Sequence, residues 1–347
     1  MVTITDVARK AGVSISTVSN VINGTKFVGE ELTEKVNCAI RELGYHANEM
    51  AVSMKRRTTN NIGVILPNIG MVFFPDVLKG IEAAAKEHGY KLFYFSTDYD
   101  FEKEQEYLKL LRSSWVDGII IDSCCPTDKI EEYQQFLVTD NFGKSVPVVA
   151  LETPFTDKRL GVITFDGVKF TTEVIEHLIT LGHRDIAILA GPENIPMYSN
   201  NIKGIKAVFE KYGIELRQEN IMYGDYFAQS GYNVVKKSLR DGKKFTALFS
   251  ANDQMAIGAI KAIKEMGLSV PGDIAVTGVD GIYVTTLINP SLTTVELPRY
   301  ELGYNACNML VKVLHGGKRE HITLDGKLVI RKSTDSNYKE NWELTGW

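Results

Sequence analysis

No stretch of about 18 consecutive apolar residues, the length a membrane helix needs, occurs in the 347 residues. A transmembrane helix is thereby excluded. The opening MVTITDVARK lacks the apolar core of a signal peptide, which points to a cytoplasmic protein. Cysteine is scarce: Cys38, the adjacent pair Cys124 and Cys125, and Cys307, with no C-x-x-C spacing. Buried reduced thiols are expected rather than a metal or redox centre. The usual catalytic signatures are missing as well. GTKFVGEE has the two glycines of a phosphate loop, but Glu30 and Glu31 stand where Lys and Ser/Thr would be needed. There is no G-x-G-x-x-G and no G-x-S-x-G, and His177 and His183 are too far apart for an H-E-x-x-H pair. The expectation is a protein that is not an enzyme and carries no cofactor and no metal.

What remains is an ordinary globular composition, 44% hydrophobic and 24% charged. The length exceeds one ordinary core, so two or three domains are expected. Net charge is −4, unevenly spread. Residues 1–61 hold eight Lys/Arg against six Asp/Glu, and the remainder holds 31 against 37. A mildly basic head on an acidic body is permitted by this asymmetry, not demonstrated.

The segment GVSISTVSNVING, residues 12–24, poses the functional question. Val18, Val21 and Ile22 keep the i, i+3, i+4 spacing of one buried helical stripe. Ser16, Asn20 and Asn23 fall on the opposite side, at about 100° per residue. These types weaken a helix interior, and a merely solvated face would normally carry Lys and Glu. A face of short donors and acceptors can instead approach another surface closely and read its polar edges. Around it, a helix from Asp6 to Ala11 is expected with Thr5 as cap, a second helix capped by Ser14, and a third over Glu30–Leu43 stopped by Gly44. This is a helix-turn-helix pattern.

From Asn61 onward the pattern changes. KEHGYKLFYFS, ITLGHRDIAILAG, KYGIELRQENIMYG and KEMGLSVPGDIAVTG each run from a helix end through glycine into an apolar strand. NIGVILP, DGIIID and VPVVALE add further strands. Alternating helices and strands indicate parallel α/β layers, and about ten strands over about 280 residues suit two lobes better than one sheet. ANEMAVSMKRRTTNN between head and body reads as a short helix trailing into a basic linker.

The segment from TITDVARKAGVSISTVSNVING to RELGY resembles the head of the LacI/GalR family of transcriptional regulators. NIGVILPNI, FFPDVLKGIEAAAKEHGY, EHLITLGHRDIAIL, SANDQMAIGAIKAI, PGDIAVTGVD and PSLTTVELP extend the resemblance over residues 2–334, and TKFV after the second helix is similar to the purine-repressor branch. It implies an all-α helix-turn-helix head at 1–46, a hinge helix and linker at 47–60, and a two-lobed α/β body at 61–347 like periplasmic sugar-binding proteins. The lobes would comprise 61–160 with 292–320, and 161–291 with 321–347. The partners implied are double-stranded operator DNA, a second copy in a dimer or tetramer, and a small-molecule effector, with no membrane. An exported solute-binding protein would share the body but not the head.

By the same resemblance, Ile15, Ser16 and Asn20 would contact bases, Thr5, Ser14, Thr17 and Asn23 phosphates, and Lys26 would also bind DNA. Many relatives carry Arg in place of Asn20, which suits adenine instead of guanine. Met54 takes the place of the hinge wedge, followed by Lys55, Arg56 and Arg57, with Val52 where relatives often carry a polar residue. The effector cleft would be lined by Phe73, Phe74, Ser123, Glu152, Asn201, Tyr226, Asn252 and Asp280. Core burial is the alternative for Phe73 and Phe74. Asn201 stands where relatives have a clamping arginine, and Glu152 where Asp is common. A neutral sugar or polyol is the first expectation for the effector, and a purine or nucleoside the second. The protein is expected to be a repressor.

Overall fold

The structure, a computed structural model, describes residues 2–24, 26–45, 58–113, 116–139 and 146–339. The expected hinge falls almost entirely outside these residues, and Val52, Met54, Lys55, Arg56 and Arg57 with it. The chain divides into two units, Met1–Thr59 and Asn60–Trp347.

In the first unit, α1 (Ile4–Ala11), α2 (Ile15–Asn23) and α3 (Glu30–Leu43) surround a small core of Val7, Ala8, Val18, Val36 and Ala39. Thr3, not Thr5, starts α1: its hydroxyl accepts from Asp6 N at 3.4 Å, and Asp6 Oδ2 accepts from Thr3 N at 3.0 Å. The reciprocal pair needs an acceptor side chain three residues after the cap. Thr3 has Asp6 there, whereas Thr5 would have Ala8. Ser14 caps α2 as expected, accepting from Thr17 N at 3.1 Å. Gly44 ends α3 in the left-handed conformation, φ +59°.

The second unit holds β1 (Asn61–Leu66), α4 (Phe74–Glu87), β2 (Lys91–Ser96), α5 (Phe101–Arg112), β3 (Gly118–Asp122), α6 (Ile130–Val138), β4 (Val148–Leu151) and β5 (Gly161–Phe165). It continues with α7 (Gly167–Thr180), β6 (Ile186–Ala190), α8 (Pro196–Lys211), β7 (Ile221–Tyr223), α9 (Ala228–Arg240), β8 (Ala247–Ser250), α10 (Asp253–Glu265) and β9 (Ala275–Asp280). A short α11 (Val284–Leu287), β10 (Thr293–Glu296), α12 (Arg299–Leu314), β11 (His321–Leu324) and β12 (Lys327–Val329) complete it. The four glycines expected to stop helices before strands, Gly89, Gly182, Gly213 and Gly267, all have positive φ, between +64° and +96°.

Two six-stranded sheets result, ordered β11-β5-β4-β3-β1-β2 and β12-β10-β9-β8-β6-β7. Every pairing is parallel except β10 with β12. The chain crosses between sheets after β5, after β10 and after β11. The expected lobe boundaries therefore need correction at each crossing. Residues 161–165 and 321–324 belong to the first sheet and 293–296 to the second, because each strand completes its pairing before the chain leaves. Gly161–Phe165, for example, is flanked by β4 on one side and β11 on the other.

Each lobe contains a helix pair in close backbone contact. A methyl at Gly80 would lie 2.1 Å from the Tyr300 carbonyl oxygen across the α4–α12 contact. Its counterpart at Gly258 would lie 1.9 Å from the Ala228 oxygen across α9–α10. Gly258→Ala and Gly80→Ala are each expected to cost about 1–3 kcal/mol or more through overpacking. Urea denaturation should show a lowered midpoint for both, and an unchanged midpoint would contradict this packing.

Candidate functional site

In α2, Val18 is fully buried, and the residues opposite it are short, polar and uncharged. Ser14 Oγ lies 2.7 Å from Ser16 Oγ and 2.9 Å from Thr17 Oγ1, a chain of hydroxyls at the helix start. Ile15 is 48% exposed beside them, although nothing in its chemistry favours water. Asn20 and Asn23 are partly buried, and Asn23 Nδ2 donates to the Ser19 carbonyl at 2.7 Å. Thr5 and Lys26 are exposed. The head's other cations are tied to acids, with Arg9 on Asp6, Lys10 on Glu42, Lys35 on Glu31 and Arg41 on Glu34. Such exposed pairs contribute little stability, but they lower the positive field of the head. Phe27, 95% exposed in the loop after α2, was not singled out from sequence. Cys38 is also exposed, against the expectation that all four thiols are buried. It lies on the outer side of α3, one position before the core residue Ala39.

In the body, a cavity of about 130 Å³ opens at the C-terminal ends of the parallel strands, between the two sheets. This is the edge where α/β folds place ligands. Phe73, Phe74, Ser123, Glu152, Tyr226, Asn252 and Asp280, seven of the eight expected effector residues, line it. Phe73 and Phe74 belong to the core at the same time, so both readings of them hold.

Asn201 is the exception. Asn200 lines the cavity instead, while Asn201 turns toward α7, where its Oδ1 accepts from Thr171 Oγ1 at 3.4 Å. One step along α8 rotates a side chain by about 100°, and an asparagine lacks the arginine length that could span the difference. Asn252 lines the cavity as expected and has structural duties as well. Its Oδ1 caps α10 by accepting from Met255 N at 2.9 Å, and its Nδ2 donates to the Tyr226 carbonyl at 2.9 Å. Much of its hydrogen-bonding capacity is spent on positioning Tyr226.

Sequence reasoning missed Asp122, Tyr99 and Gly191. Tyr99 from the first lobe stacks on Tyr226 from the second, with centroids 6.3 Å apart and planes 23° apart. Its hydroxyl donates to Met71 Sδ at 2.8 Å. Gly191 leaves the space the Tyr226 ring occupies, since a Cβ there would lie 2.2 Å from the ring. Four cavity residues hold positive φ: Tyr99 (+63°), Glu152 (+57°), Tyr226 (+70°) and Asp280 (+117°). Non-glycine residues pay about 1–3 kcal/mol for such conformations. Their clustering here marks the cleft as a place where side-chain direction outweighs backbone ease.

The lobes are joined across the cleft by polar contacts. Thr127 N and Oγ1 donate to the Asn194 carbonyl at 2.8 and 2.9 Å, and Val72 N donates to Gln254 Oε1 at 3.2 Å. Arg299 pairs with Asp76 Oδ2 at 2.9 Å and donates to the Asp280 carbonyl.

The electrostatics of the cavity are one-sided. Its described lining residues include Asp122, Glu152 and Asp280 but no Lys, Arg or His. Burial pushes the Asp122 carboxyl well above its ordinary value, and Glu104 adds to the shift. Glu152 is raised by burial, then by Asp122 and Asp280. Asp280 is raised by burial and by Asp253, with Arg299 opposing. Glu104 itself is fully buried and braces the wall, accepting from Ser123 Oγ and Cys124 N, each at 2.7 Å.

Comparison with known proteins bears on both units. Residues 3–48 match the family described as bacterial regulatory proteins, lacI family. Residues 59–329 match the family described as periplasmic binding proteins and sugar binding domain of LacI family. The HTH-type transcriptional regulator RegA of Clostridium saccharobutylicum is 34% identical over 334 residues, covering 95% of this chain and 98% of its own. The HTH-type transcriptional repressor PurR of Actinobacillus pleuropneumoniae serotype 3 is 33% identical over 340 residues, covering 96% of this chain and 98% of its own. Among solved structures, the lac repressor dimer bound to operator and the anti-inducer ONPF aligns with a TM-score of 0.83 and 29% identity. That alignment covers 96% of this chain and 99% of the other.

The raised carboxyls carry a stability consequence. A carboxyl whose folded pKa lies above its ordinary value of 3.8 contributes stability fully below that value and loses it as pH rises through the raised one. Asp122→Asn mimics the protonated form at every pH. The variant should melt with the parent near pH 4 and above it at pH 8, by roughly 2–4 °C per kcal/mol recovered. Parallel melting curves for parent and variant across this range would refute the assignment.

Proposed function

The chain belongs to the LacI family of bacterial regulators, and from that premise we propose how its residues divide the work of a ligand-responsive, DNA-binding repressor. Repressors of this family bind operator DNA and small-molecule effectors and act as dimers. In our reading α2 enters the major groove, because its outer face carries only short uncharged side chains and an exposed Ile15. That face is the observation on which the DNA assignment rests. Ser16 and Asn20 would meet base edges, Asn20 as a bidentate partner for adenine, and Ile15 a thymine methyl. Thr5, Ser14, Thr17, Asn23 and Lys26 would hold phosphates and so set register without reading sequence. Met54 and Lys55 are assigned by sequence resemblance alone to a minor-groove wedge and its flanking phosphate contact. Two heads related by a two-fold axis call for a palindromic operator, read in the cytoplasm.

The cleft is assigned to the effector, which we take to be a sugar or polyol. Its carboxylates accept from hydroxyls, its tyrosines offer an apolar ring face, and the matching family is described by its sugar-binding domain. A purine or nucleoside is the second reading, favoured by the stacked Tyr99–Tyr226 pair. An effector shifts DNA affinity only by binding one lobe arrangement better than the other. The polar contacts that span the cleft, with Arg299 between Asp76 and the Asp280 backbone, are the contacts able to differ between two arrangements.

Selection from a random duplex library should recover a palindrome, bound with steep salt dependence. Failure to enrich any palindrome would remove the DNA assignment. Asn20→Ala is expected to cost about 1–3 kcal/mol of discrimination at one base position per half-site. Lys26→Ala should weaken all sequences alike and reduce the salt slope by about 1. If Lys26→Ala altered the recovered sequence and Asn20→Ala did not, the division between base and phosphate contacts would be wrong.

A further inference from the structure

The charge balance of the cleft narrows the ligand. Asp122 is only 7% exposed, faces the cavity, and has no hydrogen-bond partner among the described residues. Glu152 Oε1 is likewise buried and unpartnered. Asp280 completes the set from the opposite lobe. Buried polar groups are ordinarily satisfied, and unpaired buried carboxyls are costly. The protein nevertheless directs all three into one enclosed space. Arg299, the cation that opposes the shift of Asp280, donates to Asp76 and to the Asp280 backbone carbonyl, with its Nε buried and unpartnered. Its charge only partly offsets Asp280. A guest that brings hydroxyls alone would meet three carboxyls with no positive charge to balance them.

We propose that the effector is a monosaccharide-sized molecule bearing a protonated amine, seated among Asp122, Glu152 and Asp280. The proposal rests on the sugar or polyol reading of the cleft. An ammonium supplies three N–H donors and one positive charge, which matches the unpartnered acceptors of Asp122 and Glu152 on one lobe and the buried Asp280 carboxyl on the other. Charge-assisted hydrogen bonds are roughly twice as strong as neutral ones. The lack of any basic residue in the described lining argues in the same direction, since an anionic sugar would find no counter-charge. The cavity, about 130 Å³, is well below the ~300–1,000 Å³ of drug-sized sites, which suits a guest of monosaccharide size.

Isothermal titration of the full chain against matched compounds tests this. The set is glucosamine, galactosamine and mannosamine, each beside its hydroxyl parent, its N-acetyl derivative and the corresponding uronic acid, with adenine and adenosine as outsiders. In at least one series the amine should bind about tenfold or more tightly than both the parent and the N-acetyl form. N-acetylation removes the charge but adds bulk, whereas the hydroxyl parent removes the charge at nearly constant size, so the amine–parent comparison isolates the ammonium. Tighter or equal binding by a parent, an N-acetyl form or a uronic acid overturns the proposal and leaves the sugar reading standing. Binding by adenine or adenosine with every sugar silent overturns both, and silence from every amine overturns the proposal. Asp122→Asn should weaken the amine more than its hydroxyl parent and so erase most of the preference for the amine. Glu152→Gln should reduce the same preference. If both variants kept the full preference, the charge would be read elsewhere.

Discussion

Parallel strand pairing is the constraint from which the body's other features follow. Nearly all strands of the two sheets run the same way, so their C-terminal ends form two facing edges. Asp122 and Asp280 are the last residues of β3 and β9, and Glu152 follows β4 directly. None of these positions needed a dedicated loop. The chain also makes its three crossings at this edge, which makes the cleft floor a junction of three strands. Small changes in how the lobes meet are therefore felt first by the residues that line it.

The price of concentrating function on one edge is visible in the backbone. Tyr99, Glu152, Tyr226 and Asp280 adopt conformations that ordinary side chains avoid, and three carboxyls face one cavity without a counter-cation in its described wall. Both features are unfavourable in themselves. Supports elsewhere compensate for them: Glu104 bracing Ser123 and Cys124, Asn252 holding the Tyr226 carbonyl, and Gly191 making room for the Tyr226 ring. A ligand that relieves the unfavourable charge would gain affinity from the same arrangement.

The head solves a different problem. It must stay folded on a core of a few aliphatic residues while one helix keeps a face free of long side chains. Capping carries the burden there: the Thr3–Asp6 pair starts α1, Ser14 starts α2, and left-handed glycines end all three helices. Each cap is worth about 0.5–2 kcal/mol, a large share in so small a unit. The polar outer face of α2 can then be chosen for what it touches, because its stability comes from its ends and from Val18.

Local chemistry was legible in the sequence. The left-handed glycines, the Ser14 cap, the bounds of α3 and the alternation of helix and strand all depend on neighbours within a few residues, where steric rules act without knowledge of the fold. Resemblance to relatives carried seven cleft residues to their places, because it transmits tertiary outcomes already solved by other chains. Only the tertiary structure decided the rest. Whether Gly161–Phe165, Thr293–Glu296 and His321–Leu324 join one sheet or the other depends on pairing with strands far away in sequence. Whether Asn200 or Asn201 faces the cavity depends on the rotation of α8 against α7. Asp122 shows the limit most clearly. In sequence it is the last residue of an apolar strand, an ordinary place for a solvated acid, and its burial in a cavity shared with residues of the second lobe appears only in the tertiary structure.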